Sequence, residues 1–137
     1  MTKVLAFDVG KHGGMAFKDD LSEEVHKFDF LSLWAYYMAV LDAIDLYKPD
    51  IVTCAYPTRF YRVIVFQSKL AAIIELACER RGIEFTEVQD KQAKKAIIGN
   101  GNAKKDEIMK FMQQDNEHIA DALMFSRHVF NLVQSVE

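Results

Sequence analysis

The run Val4-Leu5-Ala6-Phe7-Asp8-Val9, closed by Gly10-Lys11-His12-Gly13-Gly14 and followed by Met15-Ala16-Phe17, constrains this chain more than any other stretch. Apolar residues lead straight into an aspartate, and glycines behind it supply a turn. A short apolar run bounded by turn residues reads as a buried strand, here Lys3 to Val9. Met15 to Lys18 returns as its hairpin partner after the His12-Gly13-Gly14 turn. Aspartate is disfavoured in strands, so Asp8 needs a buried partner or a chemical task.

The rest of the chain alternates between the two periodicities. Val25 to Phe30 reads as a third antiparallel strand. Leu33, Trp34, Tyr37, Val40, Leu41, Ile44 and Leu46 recur at helical spacing within Leu31 to Tyr47, a helix broken by Lys48-Pro49. Trp34, Tyr36 and Tyr37 read as packing residues of that helix. Ile51 to Ala55 is a central strand ending before Pro57, Phe66 to Arg81 a helix stopped by Gly82, and Ile83 to Val88 a final strand. A short helix at Ala93 to Ile98 leads into the Gly99-Asn100-Gly101-Asn102 turn. Helices at Lys104 to Gln113 and Glu117 to Val133 follow. The order β-β-β-α-β-α-β-α-α implies a mixed sheet with helices on its faces.

A chain of 137 residues without repeats or linkers reads as a single domain, residues 1–137, large enough to bury a core unaided. No uninterrupted apolar run reaches the roughly 18 residues of a membrane span, and the N-terminus lacks a signal-peptide core. Cys54 and Cys78 sit in apolar runs and read as reduced, buried thiols. Together these features point to the cytoplasm, of a bacterial or phage-infected cell once the resemblance below is considered.

The net charge of -3 does not advertise a nucleic-acid binder, but its distribution is uneven. Residues 51–74 contain no acid and carry Arg59, Arg62 and Lys69. Residues 91–105 contain none either and carry Lys91, Lys94, Lys95, Lys104 and Lys105. Such segregation builds a positive face on an acidic protein, although ordinary solvated surfaces have the same look.

The second chemical signal is Asn116-Glu117-His118-Ile119-Ala120-Asp121-Ala122. Three residues apart on a helix, His118 and Asp121 share one face, and an unpaired Asp121 among apolar neighbours would be costly. A strand-borne acid and a helix-borne His/Asp pair suit a divalent-metal site that cuts phosphodiesters. Gly10, Gly13 and Gly14 fit either hairpin geometry or close approach of backbone to phosphate. His12, His26 and His128 have no evident partners.

With an acid on the first strand and another on the last helix, this order resembles the ribonuclease H-like fold, an α/β architecture with a mixed five-stranded sheet and helices on both faces. The details look closest to the RuvC family of Holliday junction resolvases. The likeness runs from Val4 to about Arg127 and is strongest at Ala93-Lys94-Lys95-Ala96-Ile97-Ile98-Gly99-Asn100-Gly101-Asn102-Ala103-Lys104-Lys105. In length the chain is more like the compact resolvases carried by phages. The resemblance implies a homodimer acting on branched DNA, above all four-way junctions, with two Mg²⁺ per active site and Mn²⁺ as a substitute. Asp8, His118 and Asp121 would be the catalytic metal ligands, Asp8 bridging both ions. Lys94 and Lys105 match the family's phosphate-contacting lysines, and Lys95 and Lys104 extend the track. Arg59, Phe60, Tyr61 and Arg62 fall where the family has a loop that reaches the junction centre, with Phe60 or Tyr61 as the stacking aromatic. The apolar side of the Phe66 to Arg81 helix is the candidate dimer interface.

One expected residue is missing. The family places a glutamate at the tip of the central strand, and Ala55 stands at the best-aligned position, with Tyr56 next. Two accounts fit: a substituted, inactivated variant in which alanine replaced that glutamate, or a natural chain that lacks the acid and either binds without cutting or recruits Glu75 or Glu117. Alternatives in function are a catalytically silent junction-binding protein and another ribonuclease H-like nuclease acting on RNA or hybrids. An actin-like phosphotransferase, which also opens on an Asp-x-Gly hairpin, needs two lobes and a longer chain.

Overall fold

The computed structural model describes residues 1–55 and 61–136, the side chains of 61–63 excepted. Five strands and five helices follow in the order β1 (Val4–Asp8), β2 (Gly14–Lys18), β3 (Glu23–Lys27), α1 (Leu33–Tyr47), β4 (Ile51–Ala55), α2 (Tyr61–Arg81), β5 (Glu84–Val88), α3 (Asp90–Ile98), α4 (Lys105–Met112) and α5 (Glu117–Val136). The sheet order is β3-β2-β1-β4-β5. β1 to β3 form an antiparallel meander, whereas β4 and β5 run parallel to β1. This is the mixed five-stranded α/β sheet expected from the sequence.

Alternation along β1 divides the core. Leu5 and Phe7 face one side with Val52, Cys54, α1 and α2, while Val4 and Ala6 face the other with Ala120, Met124 and Phe125 of α5. Period-2 alternation therefore sends Asp8, next after Phe7, toward the α5 side. Helices cover both faces, which is why β1 is buried on both sides and reads as an unbroken apolar run. Cys54 and Cys78 are free and buried, and burial pushes both thiols up.

Departures from the sequence reading occur where exposure and apolarity part company. β3 is Glu23–Lys27, not Val25 to Phe30, because its residues are mostly exposed along a sheet edge. Phe28 and Phe30 belong to the following loop, where Phe28 packs edge-on against Phe7 and Tyr36, and Phe30 against Phe66. Tyr36 is buried as expected, but Trp34 is 69% exposed, with Tyr37 tilted beneath it. α2 begins at Tyr61, five residues earlier than its apolar spacing suggested. His26, read as partnerless, lies 3.1 Å from the Tyr47 hydroxyl. No helix among the described residues is long and apolar enough to cross a membrane.

Candidate functional site

The parallel strands β1, β4 and β5 all end on the same edge of the sheet, where open α/β sheets place their ligands. Asp8 is the last residue of β1, Ala55 the last of β4, and Asp90 follows Val88 of β5 by two residues. A cleft of about 640 Å³ opens over these ends; Asp8, Ala55, Asp90, Lys94, Glu117 and Asp121 are in its walls. Gly101 to Lys105 complete the far side. A separate apolar cavity of about 580 Å³, between β5, α3 and the end of α5, contains none of the acids just named.

α5 is held over the cleft by two local devices. Asn116 precedes the helix, and its side-chain oxygen accepts the backbone N–H groups of His118 at 2.9 Å and Ile119 at 3.0 Å. That satisfies donors the first turn otherwise leaves unpaired. Gly14 then lets β2 lie directly against the turn: a Cβ there would stand 2.4 Å from the His118 carbonyl oxygen. Gly13 is equally confined, with Asp8 and Phe28 carbonyl oxygens 2.4 and 2.6 Å from a would-be Cβ. The paired glycines thus admit protein backbone at the very place where β1, β2 and α5 converge.

The convergence brings residues 110 apart in sequence into contact. His118 Nδ1 lies 2.8 Å from Asp8 Oδ2, and its Nε2 lies 3.2 Å from Glu117 Oε1. Glu117 Oε2 is in turn 3.2 Å from Lys105 Nζ. The hydrogen bond to Asp8 raises the His118 pKa, against the opposing effect of burial. The imidazolium can donate through both nitrogens and tie the two carboxylates together.

Burial and mutual repulsion work on the acids. Asp121, facing Asp8 and Asp90 electrostatically, has its carboxyl pushed up to about 8, chiefly by burial and next by the charge of Asp8. Asp8 is also raised, burial outweighing its bond to His118. Two adjacent carboxylates that resist ionisation form a place where positive charge is wanted. The donor chemistry fits a hard divalent cation, which takes carboxylate oxygens and keeps several waters. No group of three or more His, Cys, Asp or Glu among the described residues stands ready as a metal cluster. Asp8 is turned to His118 and Asp90 to Lys94, at 2.6 Å.

The same shifts dictate how metal-free stability responds to pH. Asp8, Asp121 and His118 all hold protons more tightly when folded, so these three groups give up stability as pH rises, against the opposing effect of His128, whose pKa burial lowers. Asp121 spans the window from the ordinary carboxylate value of 3.8 to about 8. The His118 contribution is complete below 6.5 and is lost as pH climbs through its raised folded value. In the presence of a chelator, the melting temperature is expected to fall by roughly 5 °C or more between pH 6 and pH 8. Asp121→Asn should flatten the fall, and a flat wild-type profile would contradict the assignment.

Lys94, Lys104 and Lys105 line the cleft, whereas Lys95 is exposed outside its walls. Tyr61 and Arg62 open α2 with side chains outside the described residues, and Arg59 and Phe60 lie outside them altogether. Glu117 belongs to the cleft; Glu75 does not, and its charge is felt instead at Cys54, Cys78 and Glu87. Asp90 went unnoticed in the sequence. Its signal was an acid opening a helix immediately after a strand, but Asp90-Lys91-Gln92 has no apolar residue to mark a first turn.

The profile of the family described as "Crossover junction endodeoxyribonuclease RuvC" matches residues 29–126. Among solved structures, Thermus thermophilus RuvC superposes with a TM-score of 0.75 at 21% identity, covering 98% of this chain and 97% of that one. The T. thermophilus RuvC structure in complex with a Holliday junction substrate gives 0.77 at 18% identity, again over 98% and 97% of the two chains. No curated protein matches significantly by sequence.

Proposed function

This chain belongs to the RuvC family of crossover junction endodeoxyribonucleases, and on that premise we propose that it binds four-way DNA junctions and hydrolyses their backbone with the help of divalent cations. The observation that carries this reading is the cleft itself, which Asp8 and Asp121 line together with Lys94, Lys104 and Lys105. The carboxylates invite a cation and the lysines invite phosphate.

Asp8 and Asp121 would hold the ion or ions, Mg²⁺ with Mn²⁺ as a substitute. When bound, Mg²⁺ supplies Lewis-acid activation of water and neutralises charge developing on the phosphoryl oxygens. The chain's own residues do the rest. Lys104 and Lys105 bring phosphates along the α4 side of the cleft, a contact that positions DNA without reading its sequence. His118, between Asp8 and Glu117 and with its pKa raised by the bond to Asp8, is placed to carry a proton at Nδ1 or Nε2. Nicking two strands symmetrically needs two such sites about a twofold axis, so a homodimer is part of the proposal.

Band-shift and cleavage assays on four-way, Y-shaped and linear DNA, with and without divalent metal, test the reading. Junction-selective binding that survives excess linear duplex, and cleavage only with Mg²⁺ or Mn²⁺, are the expected results. Preference for RNA or RNA–DNA hybrids would instead support the other nuclease reading. Ala55 favours one further alternative, a junction binder without cutting activity, as a natural chain or as an inactivated variant. If the chain is impaired, Ala55→Glu alone raises cleavage by orders of magnitude. On the present account the gain stays below roughly tenfold, the low end of what changing a partner around a metal site does.

A further inference from the structure

We propose that Asp90 is the third carboxylate of the site, delivered by the tip of β5 where the tip of β4 offers only Ala55, and that it exchanges Lys94 for the divalent cation. The proposal rests on the nuclease reading and names a donor that reading lacks.

The placement follows from register. β4 and β5 are parallel neighbours with Ala55 paired to Val88. Two residues beyond Val88 the chain has cleared the sheet edge, and Asp90 begins α3 facing the cleft that Asp8, Ala55 and Asp121 also line. A methyl group at Ala55 brings no oxygen to that space. Asp90 reaches the same space from one strand over.

An aspartate at a helix start with a lysine four residues on has an ordinary explanation: it favours the helix dipole and gains a few tenths of a kcal/mol from the pair. Such pairs normally lie in solvent. This one does not, since the Lys94 side chain is only 12% exposed and that of Asp90 28%, with 2.6 Å between charges. Withdrawing both from water costs more than a simple surface pair returns. The location adds the second point. The charge of Asp90 is felt at Asp8 and at Asp121, where it opposes ionisation, while the charge of Lys94 partly relieves Asp121. Lys94 therefore sits as the resident positive charge among three carboxylates. A divalent cation would satisfy the acids better and free the ammonium to meet a DNA phosphate on the same side of the cleft.

Mn²⁺ titrated into the DNA-free, full-length chain by calorimetry tests this without recourse to activity. Asp90→Asn, which keeps the shape and leaves an oxygen for Lys94 to donate to, is expected to weaken Mn²⁺ binding by roughly tenfold or more. Lys94→Met removes the competing ammonium and is expected to tighten it. Ala55→Glu added to Asp90→Asn returns a carboxylate to the cleft and is expected to restore most of the affinity. Wild-type affinity in Asp90→Asn, or equal weakening by Lys94→Met, overturns the proposal and leaves Asp90 as the structural ion-pair partner of Lys94. The nuclease reading is judged separately: Mn²⁺ binding and junction cleavage by wild type with an indifferent Asp90→Asn sink only Asp90. A wild type that neither binds Mn²⁺ nor cuts junctions sinks both.

Discussion

Asp8→Asn is expected to lower divalent-dependent cleavage of a four-way junction by roughly a hundred- to a thousandfold, the scale seen when one group that stabilises developing charge is removed. Metal-free junction binding should be preserved. The reason the effect separates so cleanly lies in the geometry. The Asn carbonyl oxygen can still accept from His118 Nδ1, 2.8 Å away, so the frame of the site survives. What disappears is an anionic oxygen at the mouth of β1. Because burial penalises the ionised form of Asp8, the neutral replacement should melt no lower than the wild type in chelator. A large loss of stability alongside the loss of cleavage would show that Asp8 is a structural acid instead. Single-turnover cleavage, junction binding without metal and thermal melting together make the distinction.

Gly14→Ala is expected to be the most damaging small substitution in the fold. An added Cβ would stand 2.4 Å from the His118 carbonyl oxygen, 2.6 Å from its carbon and 2.7 Å from Ile119 nitrogen. All three are backbone atoms. Neither side can yield, since Gly14 is paired to Asp8 on one neighbouring strand and Lys27 on the other, and Asn116 pins the first turn of α5. Destabilisation of roughly 2–4 kcal/mol is expected, together with reduced cleavage as His118 and Asp121 shift from Asp8. Gly82 and Gly99 supply the control. They adopt left-handed φ of 67° and 91° with nothing within 4 Å of a would-be Cβ, so alanine there costs only about 1–2 kcal/mol, from backbone strain alone. Chemical denaturation of the three variants checks the ordering, and a mild Gly14→Ala would contradict the close approach of α5 to β2.

The contrast between those glycines shows what a single chain discloses about itself. Gly13 and Gly14 followed a strand and an acid, and both hairpin geometry and phosphate contact were reasonable readings. For Gly13 the cause is the backbone of Asp8 and Phe28, within the hairpin and the loop after it, but for Gly14 it is a helix more than 100 residues downstream, which no local window contains. β4 was bounded correctly at Ile51–Ala55 because a strand buried on both faces is mostly apolar and β-branched, Thr53 being its one polar residue. β3 was misplaced because a solvent-facing edge strand carries no such pattern, whereas Phe28 and Phe30 are apolar for the sake of ring packing in a loop. At the site, Asp8 and Asp121 stood out since each breaks an apolar run, and His118 for standing three residues before Asp121. Asp90 broke nothing. Its meaning comes only from the β4–β5 register, which aligns the end of one strand with the end of the next.

The overall assignment turns on whether the carboxylates of β1 and α5 jointly hold a cation. Anomalous scattering from crystals of the wild-type chain soaked in Mn²⁺ addresses this most directly. The account expects a peak within coordination distance, roughly 2.0–2.6 Å, of both Asp8 and Asp121, with Asp90 turned away from Lys94 toward it. Saturating Mn²⁺ with no peak between Asp8 and Asp121, or with density only at surface acids, would contradict it.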